Sequence, residues 1–324
     1  MERQGAGSLP TDVKQLKARG IIKERGDGLF TVRLRVPGGR LPVQRLKDIA
    51  RVAESHGGEF VHLTVRQSLE LVGVDQSRLN HVVNQLAESD QEVAVCGARV
   101  RVPVACGGCE YNPHGLVDTQ QAAVAVDGQL CSQETGHHKF KVGFSGCPHD
   151  CPKAATNDVG CIGVVAPELR VEDCVGCGAC MARCREWAIS AGADRKAIYH
   201  PERCLLCGDC IKTCPTGAWR ERRRGYAVPV GGKWGRQPQV GTLVAIFVPE
   251  ETVVSFIAAV LDWYRTAAEG RGRIRLGQLL VEGKMPDLLN YLRQLFPTVV
   301  VEDAPPPTVI DTRLRGILPD TETA

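Results

Sequence analysis

Residues 30–36 read FTVRLRV: Phe30, Val32, Leu34 and Val36 alternate with Thr31, Arg33 and Arg35, and Pro37-Gly38-Gly39 follows at once. Alternation at period two predicts a strand with one buried face, and the Pro-Gly-Gly run ends it. Downstream, Val43, Leu46, Ile49, Ala50 and Ala53 recur at helical spacing, and Gly57-Gly58 supplies a C-terminal stop. Residues 60–74 then predict one or two strands broken near Arg66-Gln67, and Leu79, Val82, Val83 and Leu86 mark a second helix. A β-α-β-α unit of this length is half of a ferredoxin-like sandwich, with helices on one face of a small sheet. It is placed at 26–91, behind an N-terminal extension at 1–25.

Outward from that unit, residues 92–104 read as strand-rich and lead into Cys106, while FKVGF at 140–144 is a strand running into Cys147. Between 171 and 219 the periodicity gives way to two cysteine-dense repeats, and regular patterning returns from Gly241. The expected organisation is α+β: the half-domain, a second α/β domain formed by 92–170 and 223–300, and an insert at 171–222 that interrupts it. The segment 301–324, opened by Pro305-Pro306-Pro307, reads as an extended or disordered tail.

Composition narrows the function. The 324 residues suit two domains and an insertion, and 43% hydrophobic content supports real cores. A net charge of +3 gives no reason to expect nucleic acid or an anionic membrane as the main partner. The longest apolar stretches, 243–248 and 253–261, fall far short of the roughly 20 residues of a membrane span. Fifteen cysteines follow a start, MERQGAGSLP, that lacks the basic-then-apolar pattern of an export signal. The number is odd and most fall between Cys106 and Cys214, which reads as soft-metal ligation in a reducing, cytoplasmic setting rather than a disulfide framework.

Cys174, Cys177, Cys180 and Cys184 have the spacing C-x2-C-x2-C-x3-C, and Cys204, Cys207, Cys210 and Cys214 repeat it, ending in Pro215. Each such run gives three thiolates to one cubane and sends the fourth to the other, so the doubled register specifies two [4Fe-4S] clusters and an electron relay. Structural zinc is the alternative, but eight cysteines in this register overfill a four-cysteine zinc site. Gly176, Gly178 and Gly208 suit a backbone that must bend around a cluster. Arg220, Arg222, Arg223 and Arg224 read as a solvated face, with docking of an acidic donor as the other reading.

Four more cysteines form two pairs, Cys106 with Cys109 and Cys147 with Cys151, which together could hold another cubane. Around them stand Arg33, Arg35, Arg66-Gln67, Arg101, Lys139 and Lys141, and so many cations beside cluster cysteines suggest a bound anion. Cys96, Cys131 and Cys161 read as buried thiols, with Cys161 a reserve ligand. His137, His138 and His149 receive no role.

The order of five segments, RLRVPGG, TVRQ, Arg101 to Cys106, KFKVGFSGCPHDCPKA and the double ferredoxin motif, resembles the sirohaem-dependent nitrite and sulfite reductases. The resemblance runs from about Phe30 to about Leu295, and is strongest to the anaerobic sulfite reductases, in which a ferredoxin insert interrupts the sirohaem domain. It implies a sirohaem coupled to a third [4Fe-4S] cluster, with Cys151 bridging both. It also implies Arg35, Arg101, Lys139 and Lys141 around the substrate, and Arg33, Arg66 and Gln67 toward the cofactor. The implied reaction is sulfite to sulfide, with nitrite reduction the same class of chemistry. Implied partners are an iron–sulfur subunit and a flavin subunit with a nicotinamide site. A single half-domain leaves a sheet edge and an apolar face to cover, so at least a homodimer is expected.

The family spacing C-x5-C would put a thiolate at 112, where this chain has Asn112. Either Cys109 replaces it through a rearranged loop, or the site is altered and the chain is an electron-transfer or structural subunit. His149 stands where the family commonly has Asn, a change that bears on hydrogen bonding to the cluster.

Overall fold

The computed structural model describes residues 9–56 and 58–309. The first unit opens with α1 (Val13–Ala18), whose first turn is capped by the Asp12 carboxylate accepting from the Gln15 N–H, and which buries Leu16. Then come β1 (Ile21–Lys23), β2 (Leu29–Arg33), α2 (Val43–His56), β3 (Val61–Leu63), β4 (Leu69–Asp75) and α3 (Leu79–Glu88). The four strands form an antiparallel sheet in the order β1-β2-β4-β3. Phe30, Val32, Leu71 and Val74 of the sheet pack with Ile49 and Val52 of α2 and with Leu79, Val82 and Leu86 of α3.

The unit therefore starts earlier than residue 26. Ile21 pairs with Val32, and Leu16 and Ile21 lie in the same core. A three-residue strand is too short to show alternation, and α1 buries one side chain only. The C-terminal stop of α2 expected at Gly57 lies outside the described residues, although the helix does end at His56.

Residues 92–103 carry isolated bridges, Leu34 to Val93 and Val100 to Phe140, rather than the strand run expected there. The second unit continues with β5 (Val104–Ala105), α4 (Gly108–Tyr111), α5 (Thr119–Leu130), β6 (Val142–Ser145) and β7 (Val159–Leu169). The insert follows with α6 (Ala179–Arg183), β8 (Ile189–Ala191), β9 (Ala197–Tyr199) and α7 (Asp209–Thr213). The chain returns through β10 (Trp219–Val230), β11 (Gln239–Val240), β12 (Thr242–Val248), α8 (Val253–Ala267), α9 (Leu276–Leu279), α10 (Met285–Leu295) and β13 (Thr308–Val309).

Five strands make the main sheet, in the order β12-β10-β7-β6-β5, parallel from β5 to β7 and antiparallel from β7 to β12. Its core joins Phe140, Phe144 and Tyr226 to Phe256, Tyr264 and Leu288 from the helices beyond. Patterning thus resumes at Trp219, not at Gly241. The run WRERRR is strand, paired with β7 from Trp219–Leu169 inward, but residues 220–224 are exposed, so no buried face marks it in the sequence. The arginine face is as expected solvated. The start of the expected tail is ordered, since β13 pairs with β11; residues 310–324 lie outside the described residues.

Candidate cofactor and anion site

The parallel strands β5 and β6 end at the two loops that carry Cys106 and Cys147, the position at which α/β sheets build sites. The Cys106 sulfur accepts from the N–H groups of Gly108 (3.4 Å) and Gly146 (3.0 Å), one from each loop. Cys147 is buried, and its thiol is pushed up first by burial and then by the neighbouring Cys106 and Cys151 sulfurs. The loop from Cys147 to Ala154 is held by Asp150, whose carboxylate accepts from the N–H groups of Ala154 (2.6 Å) and Ala155 (3.1 Å). Cys151 is exposed on that loop.

Cys109 is placed differently. Its N–H donates to the Val117 carbonyl (3.0 Å). Desolvation raises its thiol, and the charges acting on it are those of Asp118, Glu250 and Arg224. Cys106 and Cys151 lie close enough to Cys147 to act on its thiol, while Cys109 is exposed. Asn112 turns its amide oxygen onto the His114 N–H (3.0 Å). Cys96, Cys131 and Cys161 are buried, and Cys161 is wholly enclosed in the main core, away from a ligand's position.

Beside these loops Arg33, Arg66, Arg101, Lys139 and Lys141 line a cleft of about 240 Å³ between the two units. Arg66 is fixed by bonds to Asn157 Oδ1 (2.9 Å) and the Val102 carbonyl (2.8 Å). Burial and the Arg101 charge lower its pKa to about 10. Arg101 donates to the Val95 carbonyl (2.9 Å) and the Cys96 sulfur (3.2 Å), while its Nε is buried with no partner among the described residues. Arg33 reaches Glu70 (2.7 Å) and the same Cys96 sulfur (3.3 Å). The Lys141 amine is pushed down to about 7 by burial, Arg66 and Lys139, and Lys139 is lowered by burial and Arg275. Asp158, the carboxylate that acts on both amines, is already committed to Arg275 (2.7 Å). The cleft therefore has cations in excess and amines that repel each other. That donor set fits a polycarboxylate cofactor and an oxyanion.

Two of the expected residues do other work. Arg35 turns away from the cleft: its Nε meets Asp127 Oδ2 (2.9 Å) on α5, its Nη2 the Asp127 carbonyl (2.9 Å), and its Nη1 Glu92. Arg33 and Arg35 share a strand face, and each meets a carboxylate, so period two cannot tell which of them lines the cleft. Replacing Arg35 with methionine should cost about 2 kcal/mol in urea unfolding, because Asp127 loses its partner but is already raised by burial and can take a proton. Anion affinity of the cleft should hardly move. Gln67, in the left-handed region at φ 58°, gives and takes hydrogen bonds with the Ala105 backbone (2.7 and 2.8 Å) and so fixes the residue before Cys106. Arg275 and Asn157, by contrast, were not expected at the site. Arg275 has no motif around it and meets Asp158 from 117 residues away.

In the insert, Cys174, Cys177, Cys180 and Cys214 surround one cavity, while Cys184, Cys204, Cys207 and Cys210 surround another of about 390 Å³. Each ring takes three thiols from one repeat and the fourth from the other. Gly178 and Gly208, at φ 77° and 72°, start α6 and α7 with the left-handed turn that wraps the chain around each cavity. His114 and His149 line the second cavity, and His149 Nδ1 lies 3.6 Å from the Cys147 sulfur. The second ring therefore faces the Cys106–Cys147–Cys151 group. No helix among the described residues is long and apolar enough to cross a membrane.

Comparison with known proteins matches both units. The chain is 33% identical over 278 residues to the coenzyme F420-dependent sulfite reductase of Methanocaldococcus jannaschii, covering 85% of this chain but only 44% of that protein. It is 29% identical over 309 residues to one of the subunits of the anaerobic sulfite reductase of Salmonella typhimurium, covering 88% of each. Among solved structures, dissimilatory sulfite reductase I superposes with a TM-score of 0.67 at 21% identity, over 82% of this chain and 69% of that one. The NirA protein of Mycobacterium tuberculosis gives 0.63 at 16% identity, over 91% of this chain and 49% of that one. The nitrite/sulfite reductase ferredoxin-like half domain matches residues 21–89, the nitrite and sulphite reductase 4Fe-4S domain matches residues 96–294, and the chain belongs to that sirohaem and iron–sulfur oxidoreductase family.

Proposed function

We propose that the chain reduces sulfite to sulfide, with electrons passing through two [4Fe-4S] clusters in the insert to a sirohaem-coupled cluster. The observation that carries this reading is one arrangement: two crossed rings of four cysteines, Cys106 and Cys147 at the ends of neighbouring parallel strands, and a cleft of five cations next to Gln67, which clamps the residue before Cys106. Cys106, Cys147 and Cys151 would hold the coupled cluster, with Cys151 shared with the haem iron. Arg33 and Arg66 would meet the carboxylates of the macrocycle. When bound, sirohaem supplies the multi-electron chemistry at its iron.

The chain's own residues bind and position the anion. Arg101 offers fixed charge, and Lys139 and Lys141 add charge that can be given up. An amine near neutrality, as at Lys141, can deliver protons as oxygen leaves the substrate. Because the Lys141 pKa is lowered, the unfolded chain binds more protons than the folded one between about pH 7 and the ordinary lysine range. Stability of the cofactor-free protein should therefore rise with pH across that window, and Lys141→Met should flatten the rise. Urea midpoints at pH 7 and 9 check this.

Protein purified without oxygen, and coexpressed with sirohaem synthesis, should contain three cubanes and one sirohaem per chain by iron, acid-labile sulfide and pigment extraction. Sulfite should change its visible spectrum. Nitrite, tested alongside, decides the substrate. Asn112, standing where the family has a thiolate, favours a second reading, an electron-carrying subunit with an altered haem site. Two cubanes with no sirohaem would select it.

A further inference from the structure

We propose that Gln120 is a positioning residue for the sirohaem-coupled cluster: seated on Gly38, it pins the backbone of Cys106, and the Pro37-Gly38-Gly39 turn acts on the cluster through it. This rests on the reading above in which Cys106 ligates that cluster.

A cysteine sulfur hangs two bonds from the backbone, so its aim depends on the peptide planes on either side. Both planes are held at Cys106. On the N-terminal side the Cys106 N–H donates to the Phe144 carbonyl (3.2 Å), and the Ala105 carbonyl accepts from Gln67 Nε2 (2.7 Å). On the C-terminal side the Cys106 carbonyl accepts twice, from Thr119 Oγ1 (2.6 Å) and from Gln120 Nε2 (2.9 Å). The sulfur so aimed meets the Gly108 and Gly146 N–H groups. Hydrogen bonds of this kind help set the potential of an iron–sulfur cluster, because they favour the more negative, reduced state.

Gln120 is 7% exposed, and its other bond crosses to the first unit, where the Gly38 carbonyl accepts from the same Nε2 (3.0 Å). Two carbonyl partners fix which end of the amide faces them, since a flipped amide would set oxygen against oxygen. Thr119 and Gln120 open α5, and the Asp118 carboxylate caps that turn by accepting from the Gln120 and Gln121 N–H groups (3.1 and 2.9 Å). The Pro-Gly-Gly turn is shaped to receive the amide. Gly38 and Gly39 have φ of 60° and 70°, and a Cβ on Gly38 would lie 2.6 Å from Gln120 Oε1. A Cβ on Gly39 would lie 2.6 Å from Gln67 Cβ. Two successive glycines thus make room for two glutamines, and those glutamines hold two successive residues, Ala105 and Cys106. A turn that only ended a strand would need neither gap.

The test uses the full chain, purified without oxygen, and reads iron and labile sulfide per chain, the midpoint potential of each cluster by EPR-monitored titration, and the urea midpoint. Gln120→Met keeps the bulk and removes the donor; it should lower the potential of the third cluster, or lose that cluster alone, with both insert clusters unchanged. Gly38→Ala should push the amide aside and give the same result, and the double variant should go no further than either single one. Thr119→Val removes the other donor to the same carbonyl, should shift the potential in the same direction, and serves if Gln120→Met does not fold. Asp12→Ala, which loses the cap of α1, should lower the urea midpoint and leave every potential in place. A third cluster at the wild-type potential in Gln120→Met and Thr119→Val, shifts of Gly38→Ala and Gln120→Met that add, or an equal shift in Asp12→Ala would each overturn the positioning role while leaving the reductase reading standing. Absence of both the third cluster and sirohaem from the wild type would overturn both.

Discussion

Replacing Asp158 with alanine is expected to destabilise the protein by about 3–5 kcal/mol in chemical denaturation, as breaking one half of a buried ion pair does. Asp158 is 1% exposed and takes three hydrogen bonds from Arg275 and one from the Lys141 backbone N–H (2.9 Å). Its loss leaves Arg275 enclosed without a counter-charge, beside Lys139 and His138, whose pKa values burial and that guanidinium already lower. The double variant Asp158→Ala with Arg275→Met should recover part of the loss, because the uncompensated charge leaves with its partner. A single variant as stable as the wild type would show that the pair is not a structural pin of the cleft.

The second large effect lies at Cys151. Cys151→Ser should reduce sirohaem retention by more than about tenfold, since even groups behind a metal ligand account for about 10–100-fold in metal affinity. Folding should be spared. The loop around Cys151 is held by Asp150 and by left-handed backbone at Asp150 and Lys153, and the Cys151 side chain is exposed. The two insert clusters, whose rings lack Cys151, should remain at full iron content. Pigment extraction and iron analysis measure both, and sirohaem retained at the wild-type level would remove Cys151 from the bridging position.

Much of this arrangement is written in local sequence. FTVRLRV shows its buried face by alternation, and the doubled cysteine register assigns two crossed rings without any coordinate. What the sequence conceals depends on residues far apart along the chain. Arg33 pairs with Glu70 across the sheet and Arg35 with Asp127 and Glu92, and nothing near residue 35 reports that its partners draw it from the cleft. The same holds for Asp158, whose partner Arg275 comes from the turn before α9. Gln67 carries a motif position, but its work is to clamp the Ala105 backbone, which only the packing of the two units reveals. In β10 the difficulty is of another kind: a strand with exposed charges on both faces has no periodic signal to read.

The pairing of β7 with β10 has a topological consequence for the whole chain. The last partners of that ladder, Leu169 and Trp219, sit directly across from each other, at the roughly 5 Å separation of neighbouring strands. Everything between them is, in connectivity, the loop of one β-hairpin, so the insert is an overgrown turn. Both covalent crossings between the insert and the body therefore fall at one seam in the sheet, and α7 adds a second hold on the body where the Lys212 amine donates to the Pro113 carbonyl.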